Sequence, residues 1–233
     1  MEEKKYRHEL KHAISLADML AIRARMRAVA TPDPHARDGK YYIRSLYFDN
    51  ASDKALREKI DGVNSREKFR IRFYNFDPSL IHLEKKSKLN GLGTKYSAKL
   101  TAAEVQSLID YCNCSDGSID WMAEAEERPL VQELYLKMRY QGLRPKTLVD
   151  YTREPFIFAP GNVRVTLDYD LRTGLRSTDF LNPNAITIPA GESPIILEVK
   201  WDAYLPDIIR DAVETPSTRV QAFSKYAECR IYG

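Results

Sequence analysis

Lys68-Phe69-Arg70-Ile71-Arg72-Phe73-Tyr74 is the stretch on which the fold turns. At a period of two, Lys68, Arg70, Arg72 and Tyr74 fall on one face, and Phe69, Ile71 and Phe73 on the other. That alternation is the mark of a β-strand with unlike faces. It recurs along the chain. Arg7, Glu9 and Lys11 share a face, as do Glu84, Lys86 and Lys88. Arg164, Thr166, Asp168 and Asp170 oppose Val163, Val165, Leu167 and Tyr169, while Glu198 and Lys200 oppose Leu197 and Val199.

Working outward, strands are expected at 6–14, 42–48, 67–75, 79–88, 95–100, 147–158, 164–171 and 195–201, all rich in Tyr, Phe, Val, Ile and Thr. Asp77-Pro78 and Asn90-Gly91 read as the turns between successive strands. Helices are fewer. Ser15-x-x-Asp18 is a capping box opening a helix to about residue 26, and Thr101-x-x-Glu104 opens a second. A third runs from about 128 to 140 and ends at Gly142. Two short ones are expected at 208–213 and 219–226. The expected fold class is α+β: an antiparallel eight-stranded β tunnel or barrel with helices packed outside, as a single domain over residues 1–233.

The helices need an apolar sheet face to rest on, and the Phe, Ile and Val faces supply one. The charged faces then point into the barrel. A lining of Lys and Arg with a few acids is no dry core, because unpaired buried charge is too costly. It calls for a highly anionic ligand with a metal ion, such as polyphosphate or a nucleoside triphosphate.

Composition narrows the classes. With 43% hydrophobic and 30% charged residues the chain is an ordinary globular one. No apolar run reaches the roughly 18–20 residues of a membrane span. The start, Met1-Glu2-Glu3-Lys4-Lys5, lacks the apolar stretch of a secretory signal. Cys112, Cys114 and Cys229 are too sparse for a disulfide framework and read as free thiols in a reducing, cytoplasmic setting. A net charge of +3 argues against a general nucleic-acid coat, and Glu9, Glu84, Asp168 and Glu198 would repel a nucleic-acid backbone unless a metal intervenes. No nucleic-acid partner is expected. His8-Glu9-Leu10-Lys11-His12 spells H-E-x-x-H, but it lies on an expected strand, so a zinc peptidase is set aside. Gly91-Leu92-Gly93-Thr94-Lys95 lacks phosphate-loop spacing and reads as a hairpin. Trp121 and Trp201 read as packing residues, and Tyr47 and Asp49 as structural.

Taken in order, these motifs resemble the triphosphate tunnel metalloenzymes, and among them the catalytic domain of VTC (vacuolar transporter chaperone) type polyphosphate polymerases. The resemblance is carried by Arg7-x-Glu9-x-Lys11, Ser45-Leu46-Tyr47-Phe48-Asp49-Asn50, the 68–74 strand and Leu83-Glu84-Lys85-Lys86. It continues through Tyr151-Thr152-Arg153, Arg164-Val165-Thr166-Leu167-Asp168, Leu197-Glu198-Val199-Lys200 and Phe223-Ser224-Lys225-Tyr226. It implies that Lys11, Arg70, Arg72, Lys86, Arg153 and Lys225 grip phosphate in the tunnel and serve catalysis. Lys95 joins them, with Arg7, Lys88, Arg164 and Lys200 as further phosphate contacts. It implies that Glu198 binds the metal, Mn²⁺ or Mg²⁺, helped by Glu9 and Glu84. The implied partners are ATP, pyrophosphate and polyphosphate. The resemblance leaves a separate membrane-protein partner and the oligomeric state open.

The implied activity is metal-dependent, ATP-driven polyphosphate synthesis, with transfer of the γ-phosphate to a growing chain and release of ADP. A water nucleophile would instead give a triphosphatase or tripolyphosphatase, and loss of turnover a polyphosphate-binding module. Hydrolytic tunnel enzymes commonly carry Glu-x-Glu-x-Lys where this chain has Arg7-x-Glu9-x-Lys11, so one metal-directed acid is replaced by a cation.

Overall fold

The computed structural model describes residues 7–90, 92–113, 118–215, 219–220 and 223–231. In chain order the elements are β1 His8–Ile14, α1 Leu16–Val29, β2 Thr31–Pro32, β3 Tyr41–Asp49, α2 Lys54–Ile60, β4 Ser65–Tyr74, β5 Ile81–Leu89 and β6 Leu92–Leu100. They continue with α3 Ala102–Asn113, α4 Asp120–Ala123, α5 Pro129–Gln141, β7 Arg144–Phe158, a 3-10 turn at Pro160–Asn162 and β8 Val163–Thr173. Then come β9 Ile188–Pro189, β10 Ile195–Trp201, α6 Asp207–Val213, β11 Arg219–Val220 and α7 Lys225–Cys229. The fold is α+β with antiparallel strands, and all eight expected strands form.

The chain divides into two compact units. The first comprises Met1–Tyr42, Tyr151–Arg172 and Pro189–Ser224. Here β1 pairs with β10 and β10 with β8, all antiparallel. Val163, Val165, Leu167, Leu197 and Val199 form one buried cluster with Met19, Ile22 and Met26 of α1 and Ile209 of α6. Full burial of each such side chain favours folding by about 1.5–3 kcal/mol. The helix α1 begins where the sequence says it should. The Ser15 side chain accepts from the Asp18 amide at 3.1 Å, and the Asp18 carboxylate accepts from the Ser15 amide at 3.1 Å.

The second unit comprises Ile43–Asp150, Thr173–Ile188 and Lys225–Gly233. Its sheet order is β3-β4-β5-β6, each pair antiparallel. Phe69, Ile71 and Phe73 are buried with Val105 and Leu108 of α3 and Val131, Leu134 and Met138 of α5. Gly142 takes φ 64° and closes α5 in the left-handed region that glycine adopts without a Cβ penalty. In both units, therefore, the apolar strand faces carry the helices and the charged faces are left for other work.

Two expectations need correcting. The helix expected over 219–226 is split: Arg219 and Val220 pair with Ala13 and His12 of β1, and a helix forms only from Lys225. Ladder pairing with β1 holds that backbone extended; residues 221–222 lie outside the described set. A helix at Lys54–Ile60 was not expected, since it buries no side chain and so shows no apolar stripe. Asp49 anchors it by accepting from the Ala55 and Leu56 amides at 2.9 and 3.1 Å. Tyr6, Gly91 and Cys114, which figure in the sequence reading, lie outside the described residues.

Candidate phosphate-handling site

In the first unit, strand register assembles an acid-centred cluster. Lys11 stands opposite Glu198 and Glu9 opposite Lys200, and Glu198 stands opposite Thr166 on the other side. Directly opposed residues share a face, so these side chains meet. Lys11 Nζ lies 2.6 Å from Glu9 and 3.4 Å from Glu198, and Lys200 Nζ lies 3.1 Å from Glu198. Arg153, from β7, donates to both oxygens of Asp168 at 2.6 and 2.7 Å and to Glu198 at 3.3 Å. Glu198 is only 4% exposed. Burial would raise its proton affinity, but a hydrogen bond with Glu9, and after it the charges of Lys200, Arg153 and Lys11, hold the carboxyl well below the ordinary carboxylate range. The two lysines beside it part ways. Burial would lower Lys11, yet Glu198 and Glu9 outweigh it and hold the ammonium above its usual value. For Lys200 burial prevails and the value falls.

In the second unit the charged face is cation-rich. Register places Tyr47 opposite Arg70 and Ser45 opposite Arg72. Lys68 and Arg70 stand opposite Lys86 and Glu84, and those two in turn opposite Lys95 and Ser97. Lys68, Arg70, Arg72, Lys86 and Lys95 thus stand around one carboxylate, Glu84. Arg70 contacts Glu84 through Nε at 2.7 Å and Nη2 at 2.6 Å, and Lys95 reaches Glu84 at 2.5 Å. Arg70 also donates to the Tyr47 hydroxyl at 2.7 Å, and Arg72 to the Ser45 hydroxyl at 2.9 Å. Burial would raise Glu84, but Arg70, Arg72 and Lys95 hold it far below its ordinary value. Burial would raise Tyr47 too, but Arg70, Lys68 and Arg72 draw its hydroxyl down to about 7.

Of the residues singled out from the sequence, Lys11, Glu9, Arg153, Lys200 and Glu198 are brought together in the first unit. Arg70, Arg72, Lys86, Lys95 and Glu84 share one face in the second. Others are placed elsewhere. Arg7 is bound to Asp202 at 2.9 Å and to the Asn162 carbonyl, at the end of its strand. Arg164 reaches Asp33 at 3.0 Å. Lys88 is exposed near the end of β5, opposite Gly93. Lys225 opens α7, next to Tyr226, whose ring stacks on Tyr47 with centroids 5.0 Å apart.

The sequence reading missed the part played by Tyr47, Ser45, Lys68 and Asp168. Lys68 and Asp168 fall on the charged side of their strands by the period-two count, whereas Ser45 and Tyr47 lie on a strand whose cation, Arg44, is on the opposite face, so nothing in the alternation marked them. The histidines of H-E-x-x-H lie on a strand, and His8 stacks on Trp201 at 5.3 Å. Trp201 and Trp121 both pack against the cores of their units.

Among the described residues no three His, Cys, Asp or Glu side chains gather to hold a metal by themselves. Glu9 and Glu198 do meet, through Lys11. Two carboxylates suit a hard divalent ion that takes its remaining oxygens from phosphate and water, as Mg²⁺ commonly does. Glu84 is not part of that pair and is held by Arg70 and Lys95.

The sequence profile of the VTC domain family matches residues 6–231. The chain belongs to the VTC domain family. This is a triphosphate-tunnel family associated with phosphoryl transfer, and the match runs through both units of the VTC domain described here. No curated protein matches the chain. Among solved structures it is similar to the PH1012 protein of Pyrococcus horikoshii OT3, at 12% identity, covering 96% of this chain and 99% of that one, with a TM-score of 0.49. It is similar also to a protein of Bacillus halodurans provisionally named an adenylate cyclase, at 12% identity, 84% and 80% coverage and a TM-score of 0.46. Likenesses at this level add nothing to the family assignment. Among the described residues, no helix is long and apolar enough to cross a membrane.

Proposed function

We propose that this VTC domain is an ATP-driven polyphosphate polymerase that uses Mn²⁺ or Mg²⁺. The observation that carries the reading is the second unit's face, where Lys68, Arg70, Arg72, Lys86 and Lys95 surround Glu84 over a dry core. Such a surplus of cations suits a ligand with one negative charge on each successive phosphate. Arg70 and Arg72 offer planar, paired donors to phosphate oxygens, and the lysines act as point charges.

Phosphoryl transfer asks the protein mainly for in-line positioning and for neutralisation of charge. In the proposed step an oxygen of the terminal phosphate of the chain attacks the γ-phosphorus of ATP. The bond from that phosphorus to the β,γ-bridging oxygen breaks, and ADP leaves. The attacking phosphate oxygen is already anionic, so no catalytic base is needed. A divalent ion held by Glu198 and Glu9 would neutralise charge on phosphate oxygens. Lys11, held in its ammonium form by both carboxylates, adds a fixed positive charge at that site. Arg153, clamped by Asp168, presents its guanidinium beside Glu198 in a fixed orientation.

The test is incubation of the protein with ATP and Mn²⁺, with and without a pyrophosphate primer. Polyphosphate is resolved on a gel, and ADP and free phosphate are measured together. Polymer in step with ADP is the expected result. ADP matched by free phosphate, with no polymer, would make the domain a triphosphatase and overturn the polymerase reading.

A further inference from the structure

Tyr47 and Tyr226 stack with ring centroids 5.0 Å apart, yet their hydroxyls do opposite things. Tyr226 donates to Asp49 at 2.8 Å, and burial together with Asp49 keeps it a phenol. Tyr47 accepts from Arg70 at 2.7 Å and is 2% exposed. The charged groups around Tyr47 come from β4 and, behind it, β5 and β6; on β7, which pairs with β3 on its other side, Lys146 is bound to Asp53 and Asp150 to Arg44. On β4, the Lys68 ammonium and the Arg70 guanidinium lie 5.7 and 5.6 Å from its ring centroid, and Arg72 stands two residues along. On β5, Glu84 holds the far edge of Arg70, and on β6 Lys95 holds Glu84. On its own strand the nearest acid is Asp49, already bonded to Tyr226. On α7 the neighbours are Tyr226 and, at the helix start, Lys225.

We propose that Tyr47 is an internal counter-anion of this basic face: as phenolate it holds Arg70 while no phosphate is bound, and it takes up a proton from solvent when a phosphate chain arrives. This rests on the phosphate-binding reading of the same face. The logic is one of competing anions. A phenolate beside Arg70 and a phosphate on Arg70, Arg72 and Lys68 repel each other at close range. Protonation removes that repulsion and returns an O–H able to donate to a phosphate oxygen. The low proton affinity of Tyr47 in the free protein agrees with this arrangement. The linkage has a definite sign. Above about pH 7 the free protein holds a phenolate and binding must draw in a proton, so affinity falls as pH rises, by up to about tenfold per pH unit.

The experiment follows the tyrosinate absorbance of the intact protein, first in a pH titration and then on adding tripolyphosphate at fixed pH near 8. Calorimetry on the same samples reports binding itself. The wild type should show one tyrosine ionising near neutrality, and that absorbance should disappear as tripolyphosphate binds. Tyr47→Phe should lack the signal, and its affinity relative to wild type should rise with pH. Tyr226→Phe should keep the signal. Binding without any absorbance change overturns the role of Tyr47 and leaves the phosphate-binding reading standing. Absence of binding, with a tyrosinate that forms near neutral pH present, overturns both. A free protein with no tyrosinate below the ordinary tyrosine range also refutes the counter-anion, whatever it binds.

Discussion

The two units carry charged faces of the same construction and opposite emphasis. In the first, Glu198, Glu9 and Asp168 are matched against Lys11, Lys200 and Arg153, and the two most buried members are acids, Asp168 and Glu198. In the second, cations outnumber acids around Glu84, and even a tyrosine hydroxyl is drawn toward ionisation. The same device, strand alternation over a helix-covered apolar face, builds both. The difference is which sign is in excess. A near-balanced cluster with a buried acid suits the handling of a cation, whereas a cation surplus suits the grip on phosphate.

That division can be broken by substitution. The largest effect is expected for Glu198→Gln, which removes an anionic oxygen donor while keeping shape. Lys11 retains Glu9 and Arg153 retains Asp168, whereas Lys200 loses its ion pair with Glu198, so the melting temperature should fall while the folded state persists. Turnover of ATP should fall on the order of 10³-fold, the scale of losing a preorganised electrostatic group. Turnover within a few-fold of wild type would remove Glu198 from the metal site.

A smaller effect is expected for Arg70→Ala. Loss of one charge-assisted contact, worth about 1.5–3 kcal/mol, should raise the KM for ATP at least tenfold. An unchanged KM would mean that the β4 face does not meet the substrate.

Smaller again is a stability effect with a definite sign. Glu84 and Glu198 are both held below the ordinary carboxylate range in the folded protein. Their ion pairs therefore stabilise fully above about pH 4.3, the value of an unfolded glutamate, and that stabilisation is lost as pH falls below it. Melting temperature should drop between about pH 5 and 3. Glu84→Gln should flatten the drop, and an equal slope in the variant would contradict the assignment.

Much of the fold was legible because the strands alternate so strictly. Phe69, Ile71 and Phe73 announced both a strand and the side on which helices would pack, and Ser15 and Thr101 marked helix starts through their capping partners. The direction of the charged faces followed from the same count. What stayed hidden depends on neighbours remote in sequence. Nothing local to Arg153 shows that Asp168 clamps it, and nothing local to Arg7 shows that Asp202 takes it at the strand end. Val220 reads as helical until β1 is there to pair with it. The helix at Lys54–Ile60 buries nothing, so it leaves no periodic trace and depends on Asp49 at its start.

The division of labour is tested most directly by calorimetric titration of tripolyphosphate into metal-free Arg70→Ala and Glu198→Gln, beside the wild type. The expected result is an affinity lowered at least tenfold in Arg70→Ala and within about threefold of wild type in Glu198→Gln. Equal losses in the two variants, or a larger loss in Glu198→Gln, would contradict it.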